Sequence, residues 1–184
     1  MKRIKVKDLM VKLDDFAVVS EEASLFEAMA ALMSSHQRHQ KSTFRHRAIL
    51  VLDKAGNLTG RIRLWDLLHG LEPGYGQMES FKHASELGFN LEYMRSALKE
   101  YGLWQRPLED ICRKAGQVKA KEIMHVIEKD EYISAEATLD EAINHLVMGR
   151  YPSLIVTGEG KVIGILRLAD VIEWLWKEMQ ACQL

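Results

Sequence analysis

The feature that most constrains this chain is that it repeats itself. Lys5–Ala28 laid under Lys119–Ala142, at a constant shift of 114 residues, aligns identical residues at Lys5, Lys7, Met10, Ser20, Glu22, Ala23, Leu25, Glu27 and Ala28. Further on, the shift becomes 104 residues, and Leu50, Gly56, Gly60, Arg63, Leu64 and Asp66 fall on Leu154, Gly160, Gly164, Arg167, Leu168 and Asp170. Two matching blocks in the same order mark a duplicated supersecondary unit, and such units bury their apolar faces by packing on one another.

Each copy reads as the same run of elements. A short strand near Ala17–Ser20, or Tyr132–Ser134, precedes a helix start. Ser24 with Glu27, and Thr138 with Glu141, fit the S/T-x-x-E capping box, which satisfies orphan amides at a helix N-terminus. Leu25, Ala28, Met29 and Leu32, and in the second copy Leu139, Ala142, Ile143 and Leu146, then recur at helical spacing. An aliphatic run (Ala48–Leu52, or Leu154–Val156) is joined through a glycine-containing turn to Leu58–Leu64 or Val162–Leu168, which predicts a hairpin. A final helix starts near Asp66 or Asp170. The unit is β-α-β-β-α, and the fold class is α/β, with the two repeats packed face to face as a pseudo-two-fold pair.

The change of shift locates the insertions. The first repeat, residues 1–70, carries extra residues at about 34–47. Residues 71–117 form a connector, and 118–184 the second repeat. Within the connector, Gln77–Leu87 before Gly88, Asn90 through Tyr101 before Gly102, and Pro107 through Ile111 predict three helices. A small helical insert between the repeats is therefore expected.

Composition narrows the function. With 47% hydrophobic residues, 28% charged and a net charge of −1, the chain has no global attraction to nucleic acid or membrane. No run approaches a membrane span, and no apolar signal-peptide core follows the basic Met1–Lys5. Cys112 and Cys182, the only cysteines, suit a reducing cytoplasm. There is no G-x-S-x-G elbow, Walker A loop, G-x-G-x-x-G or H-E-x-x-H, so the expectation is not an enzyme.

Three motifs occurring twice resemble those of the cystathionine β-synthase (CBS) domain family. Lys5–Met10 (K-V-K-D-L-M) and Lys119–Met124 (K-A-K-E-I-M) resemble its V-x-D-I-M opening. Ser24–Ala28 and Thr138–Ala142 resemble its T-L-x-E-A helix start. Leu58–Asp66 and Val162–Asp170 resemble its closing G-h-h-T-x-x-D, where h is apolar. The resemblance implies a tandem pair, a Bateman module, that dimerises and binds adenosine nucleotides or related adenosyl compounds in clefts between paired domains. AMP, ADP or ATP would then be a regulatory ligand rather than a required cofactor.

By the same resemblance, Asp66 and Asp170 stand where the family's aspartate bonds ribose hydroxyls; a carboxylate there also complements a helix N-terminus. Val18, Val19, Tyr132 and Ile133 fall where adenine is held, and equally where a core would be. Arg63 and Arg167 depart from the family, which has Thr or Ser at that position. A guanidinium could grip a ligand phosphate, or pair with the aspartate three residues on.

The insertion His36–Arg47 holds Arg38, Lys41, Arg45 and Arg47 with His36, His39 and His46. It could meet polyphosphate, or be a solvated loop; no metal site is expected among its histidines. Trp174 and Trp176 cannot share one face of the last helix, so one should be exposed at a contact surface. The expectation is a homodimeric ligand sensor that acts on an unknown protein partner in trans, with no membrane and no nucleic acid. Its alternative is a protein- or nucleic-acid-interaction module with vestigial clefts.

Overall fold

A duplicated β-α-β-β-α unit exposes the edge of a three-stranded sheet, and in this protein each copy covers the other's edge. The computed structural model describes residues 3–38, 48–72, 74–77, 95–96, 99–105 and 107–181. The first repeat gives β1 (Val11–Lys12), β2 (Ala17–Ser20), α1 (Leu25–Arg38), β3 (Ala48–Leu52), β4 (Leu58–Arg63) and α2 (Leu64–Leu71). The connector contains α3 (Gly74–Gln77) and α4 (Leu108–Gln117). The second repeat gives α5 (Ala120–Ile123), β5 (His125–Val126), β6 (Tyr132–Ser134), α6 (Leu139–Gly149), β7 (Ser153–Gly158), β8 (Lys161–Arg167) and α7 (Leu168–Ala181).

The sheets run β2-β3-β4-β5 and β1-β8-β7-β6. Both expected hairpins are present, and each first strand lies parallel to the first hairpin strand. The fourth strand of each sheet comes from the other repeat. β5 pairs antiparallel with β4 (Arg61 with His125), and β1 with β8 (Val11 with Ile165). The expected unit lacked these strands because two residues carry no periodicity to read.

Symmetry-related backbone bonds fix the exchange. Val6 N–H donates to Ala137 at 3.0 Å and Leu139 N–H to Ile4 at 2.9 Å; in the other half Ala120 N–H donates to Ala23 and Leu25 N–H to Val118, both at 2.8 Å. Val6 and Ala120, each fully buried, complete the core of the opposite repeat. The lysines and glutamates that repeat at the shift of 114 also pair across. Lys5 and Lys7 hold Glu136, and Lys121 holds Glu22. Hydrogen bonds from Lys5 and then Lys7 bring the Glu136 carboxyl down to about 2. These pairs are exposed and screened, so they contribute more to register than to stability.

A glycine in β4 and another in β8 make room for the incoming segments. A methyl group on Gly60 would lie 2.6 Å from the Met124 sulfur and 2.9 Å from the His125 carbonyl oxygen; on Gly164 it would lie 2.5 Å from the Val11 carbonyl oxygen. The repeated Met and the repeated Gly thus meet across the two halves.

Among the described residues three clusters fill the interior of the two repeats, and a smaller one surrounds Leu103 in the connector. Leu139, Leu146, Leu154, Val156 and Leu166 form one core, and Leu25, Leu32, Ile49, Val51 and Ile62 another, each under its own helices. Phe16, Leu50, Ile127, Ile155 and Ile165 fill the space between the sheets, so the repeats do pack face to face. Both capping boxes form. Ser24 N–H donates to the Glu27 carboxylate at 2.6 Å, and Thr138 N–H to that of Glu141 at 2.9 Å.

Two expectations change. The first insertion begins as helix, since α1 runs on to Arg38 and is longer than α6; residues 39–47 lie outside the described residues. The helix expected at Pro107–Ile111 continues to Gln117, because Ala115 finds a buried place against its neighbours. The helix expected at Gln77–Leu87 lies almost wholly outside the described residues. Arg95, Ser96, Lys99 and Glu100 are helical, and Gly102 follows at φ +58°, where the expected stop falls.

Gly164→Ala should therefore lower unfolding stability by about 1–3 kcal/mol, the usual cost of overpacking. Gly116→Ala on α4, where an added methyl group meets nothing within 4 Å, should raise it by about 0.4–1 kcal/mol. Urea denaturation of the two variants checks both signs.

Candidate functional site

Alternation along the strands decides which side chains face the space between the sheets. Leu50 and its register partners Val18, Arg61 and His125 share the inner face of one sheet. Arg63, two residues beyond Arg61, ends on the same face. In the other sheet Ile155, Tyr132, Ile165 and Val11 share the inner face, and Arg167 is two residues beyond Ile165. Val18 and Tyr132 are equivalent positions of the repeat, so each copy presents one of these two candidates on its arginine's face. Val18 is exposed; Tyr132 is half-buried, and burial, with Glu131 beside it, raises its phenol above the usual range. Val19 and Ile133 point the other way, into the helix-covered cores.

The hairpin returns each closing aspartate to the sheet end where the first strand begins: Arg63 pairs with Ala48 and Arg167 with Ser153, two register steps from Val18 and Tyr132. The next helix starts there. Asp66 Oδ2 accepts from the Arg63 backbone N–H and from its Nε, both at 2.8 Å, and Oδ1 accepts from a terminal guanidinium nitrogen at 3.0 Å. Asp170 Oδ2 accepts from Arg167 Nε at 2.6 Å, and Oδ1 from Arg167 Nη2. The in-chain Arg–Asp pair therefore forms in both repeats, as a two-pronged fork. Arg63 also lies over the Trp65 ring at 5.1 Å; Ala169 stands at the equivalent place.

Between the repeats lies a second charged group that sequence reasoning missed. Arg61 on β4 is 4% exposed and pairs through Nη2 with Glu131, which is 1% exposed and sits just before β6. Glu131 Oε1 also accepts from the Glu128 N–H at 3.1 Å and faces His125 Nε2 at 3.2 Å. Nε and Nη1 of Arg61 are buried without a hydrogen-bond partner among the described residues. The available signal was an arginine between Gly60 and Ile62 in the middle of a predicted strand; its partner, 70 residues away, carried none.

An open groove of about 620 Å³ runs between the β6 edge and α6, lined by Tyr132, Ile133, Ser134, Asn144, His145 and Met148. On the outside, Leu64, Trp65 and Leu68 of α2 are exposed, as are Leu168, Ile172, Trp176 and Met179 of α7. Trp174 packs against the core while Trp176 is 58% exposed. Among the described residues no group of three His, Cys, Asp or Glu side chains could hold a metal ion. No helix among them is long and apolar enough to cross a membrane.

Two four-stranded sheets that exchange strands and carry a carboxylate at each closing helix start define a paired-repeat module. Residues 6–72 and 120–177 match the CBS domain family, and the chain belongs to it; the helical insert occupies the gap between the two matches. A CBS domain-containing protein of unknown function from Bacillus anthracis is 21% identical, with a TM-score of 0.61 over 96% of this chain and 95% of that one. The CBS-pair protein CBSX2 from Arabidopsis thaliana is 17% identical, with a TM-score of 0.60 over 96% and 97%. A structure of CBSX2 in complex with AMP is 18% identical, with a TM-score of 0.57 over 96% and 98%. Protein SDS23 from Podospora anserina is 40% identical over 63 residues, which are 33% of this chain and 12% of that protein.

Removing one member of a buried ion pair leaves the other charge uncompensated. Glu131→Ala should cost about 3–5 kcal/mol, while joint replacement by Arg61→Met and Glu131→Leu should recover most of that loss. A double-mutant cycle from denaturant melts measures both.

Proposed function

We propose that this protein is a regulatory module that binds an adenosine nucleotide at the sheet ends marked by Asp66 and Asp170, and passes the bound state to a protein partner in trans. One observation carries the reading: in both repeats of a CBS-family chain the closing carboxylate lies at the sheet end where Val18 or Tyr132 shares the inner face with Arg63 or Arg167. An apolar or aromatic side chain for a base, a carboxylate for a diol and a guanidinium for a phosphate are the chemistry of a nucleoside phosphate. The AMP complex of the structurally similar CBSX2 supports the same ligand class. With one free, exposed cysteine described, Cys112, a reducing cytoplasm remains the compartment we assign.

AMP at a hundred times its dissociation constant should stabilise the fold by about 2.7 kcal/mol, a rise of roughly 5–10 °C in melting temperature for a chain of this size. Asp170→Ala should remove most of that rise, and Asp66→Ala less, because the second repeat lacks the insertion. A thermal-shift series across adenosine compounds decides. An unchanged rise in the Asp170 variant sinks its ribose role, and no rise with any adenosine compound favours the interaction-module alternative.

We further propose that a second copy of this chain covers the apolar stripe of α7. Leu168, Ile172, Trp176 and Met179 recur at helical spacing, so one face of α7 stands free of its own core. Light scattering at micromolar concentration should give twice 21.1 kDa, and Ile172→Glu with Trp176→Glu should give the single chain. A wild-type monomer would overturn this assignment.

A further inference from the structure

The carboxylate that a ribose contact needs is already engaged in both repeats. Both oxygens of Asp66 and both of Asp170 accept hydrogen bonds from the arginine three residues upstream. The aspartate side chains are 13% and 14% exposed, so few directions remain from which another donor could approach. A vicinal diol donates through two hydroxyls to the oxygens that the guanidinium fork now holds. The arginine stands at this place in both copies, and each copy forms the same fork.

We propose that Arg63 and Arg167 are latches. Each holds its aspartate closed to a diol, so the arginine, acting on the aspartate, sets how tightly, and which, adenosine compounds bind. This rests on the nucleotide reading above. Apparent affinity is the intrinsic affinity reduced by the fraction of molecules with the fork open. A nucleoside alone must break the fork and strands a half-buried guanidinium without an anion. A nucleotide offers the displaced guanidinium a phosphate in exchange. The latch therefore selects phosphorylated adenosine over adenosine.

The test uses the full chain and calorimetric titration with adenosine, 2′,3′-dideoxyadenosine and AMP. The variant Arg63→Thr with Arg167→Thr removes both forks and leaves at each helix start a residue suited to an N-cap. It should bind adenosine about tenfold more tightly than wild type, the equivalent of one charge-assisted hydrogen bond no longer broken on binding. The gain should vanish for the dideoxy compound, and the preference for AMP over adenosine should narrow. If the threonine variant does not fold, Arg63→Lys with Arg167→Lys keeps the charges but cannot make the fork, and should show a smaller gain of the same kind. If wild type binds AMP and neither variant gains for adenosine, or both lose AMP and adenosine alike, the latch is wrong and the nucleotide reading stands. If neither wild type nor variants bind any of the three up to millimolar concentration, the nucleotide reading falls and the latch with it.

Discussion

The architecture depends on one close approach, made twice. Where Met124 and His125 cross Gly60, and Met10 and Val11 cross Gly164, a methionine side chain and a backbone carbonyl fill the space that a Cβ on the glycine would need. That contact lets β5 and β1 close the exposed edges of β4 and β8, and an edge left open is a template for unwanted pairing. It carries Val6 and Ala120 into the opposite cores, and it leads the chain on to Phe16 and Ile127 between the sheets. The face-to-face packing, and the placing of both closing aspartates at comparable sheet ends, follow from it.

The Arg61–Glu131 pair qualifies that symmetry. It lies among Leu50, Ile155 and Ile165 in the space between sheets, where two charges lose their hydration. Such a pair adds little net stability over apolar residues of the same size. Its effect is selective: any other seating of the repeats leaves one charge buried alone. At the 114-residue shift Glu131 falls on Ala17, so the pair exists only once, and the module is symmetric in its outline but not in its interior.

Much of this was legible in the sequence. The repeat, both capping boxes, both hairpins and the closing helix starts carry strong local signals, and the structure contains them. The crossing strands were not legible, because Val11–Lys12 and His125–Val126 are too short for alternation to show and their partners lie far along the chain. The site was legible in part. The positions of Asp66 and Asp170 at helix starts followed from the repeat, and the arginine fork was one of two open readings. The division of Val18 and Tyr132 from Val19 and Ile133 required strand register, which fixes the face but is not written in residue type. Arg61 and Glu131 were missed because a buried charge pair between distant segments has no periodicity.

The strand exchange also constrains how the protein comes into being. As the chain is made, β1 emerges about 150 residues before β8, the strand it pairs with among the described residues. Until the second repeat is made Val6 has no core to enter, and until His125–Val126 are made the first sheet has no β5 to close it. A chain wired with such long-range pairings folds slowly for its size, and its first half must wait, with an uncovered edge, for the second. Cutting the chain in the connector would not release two independent domains, since each half would leave with the other's strand.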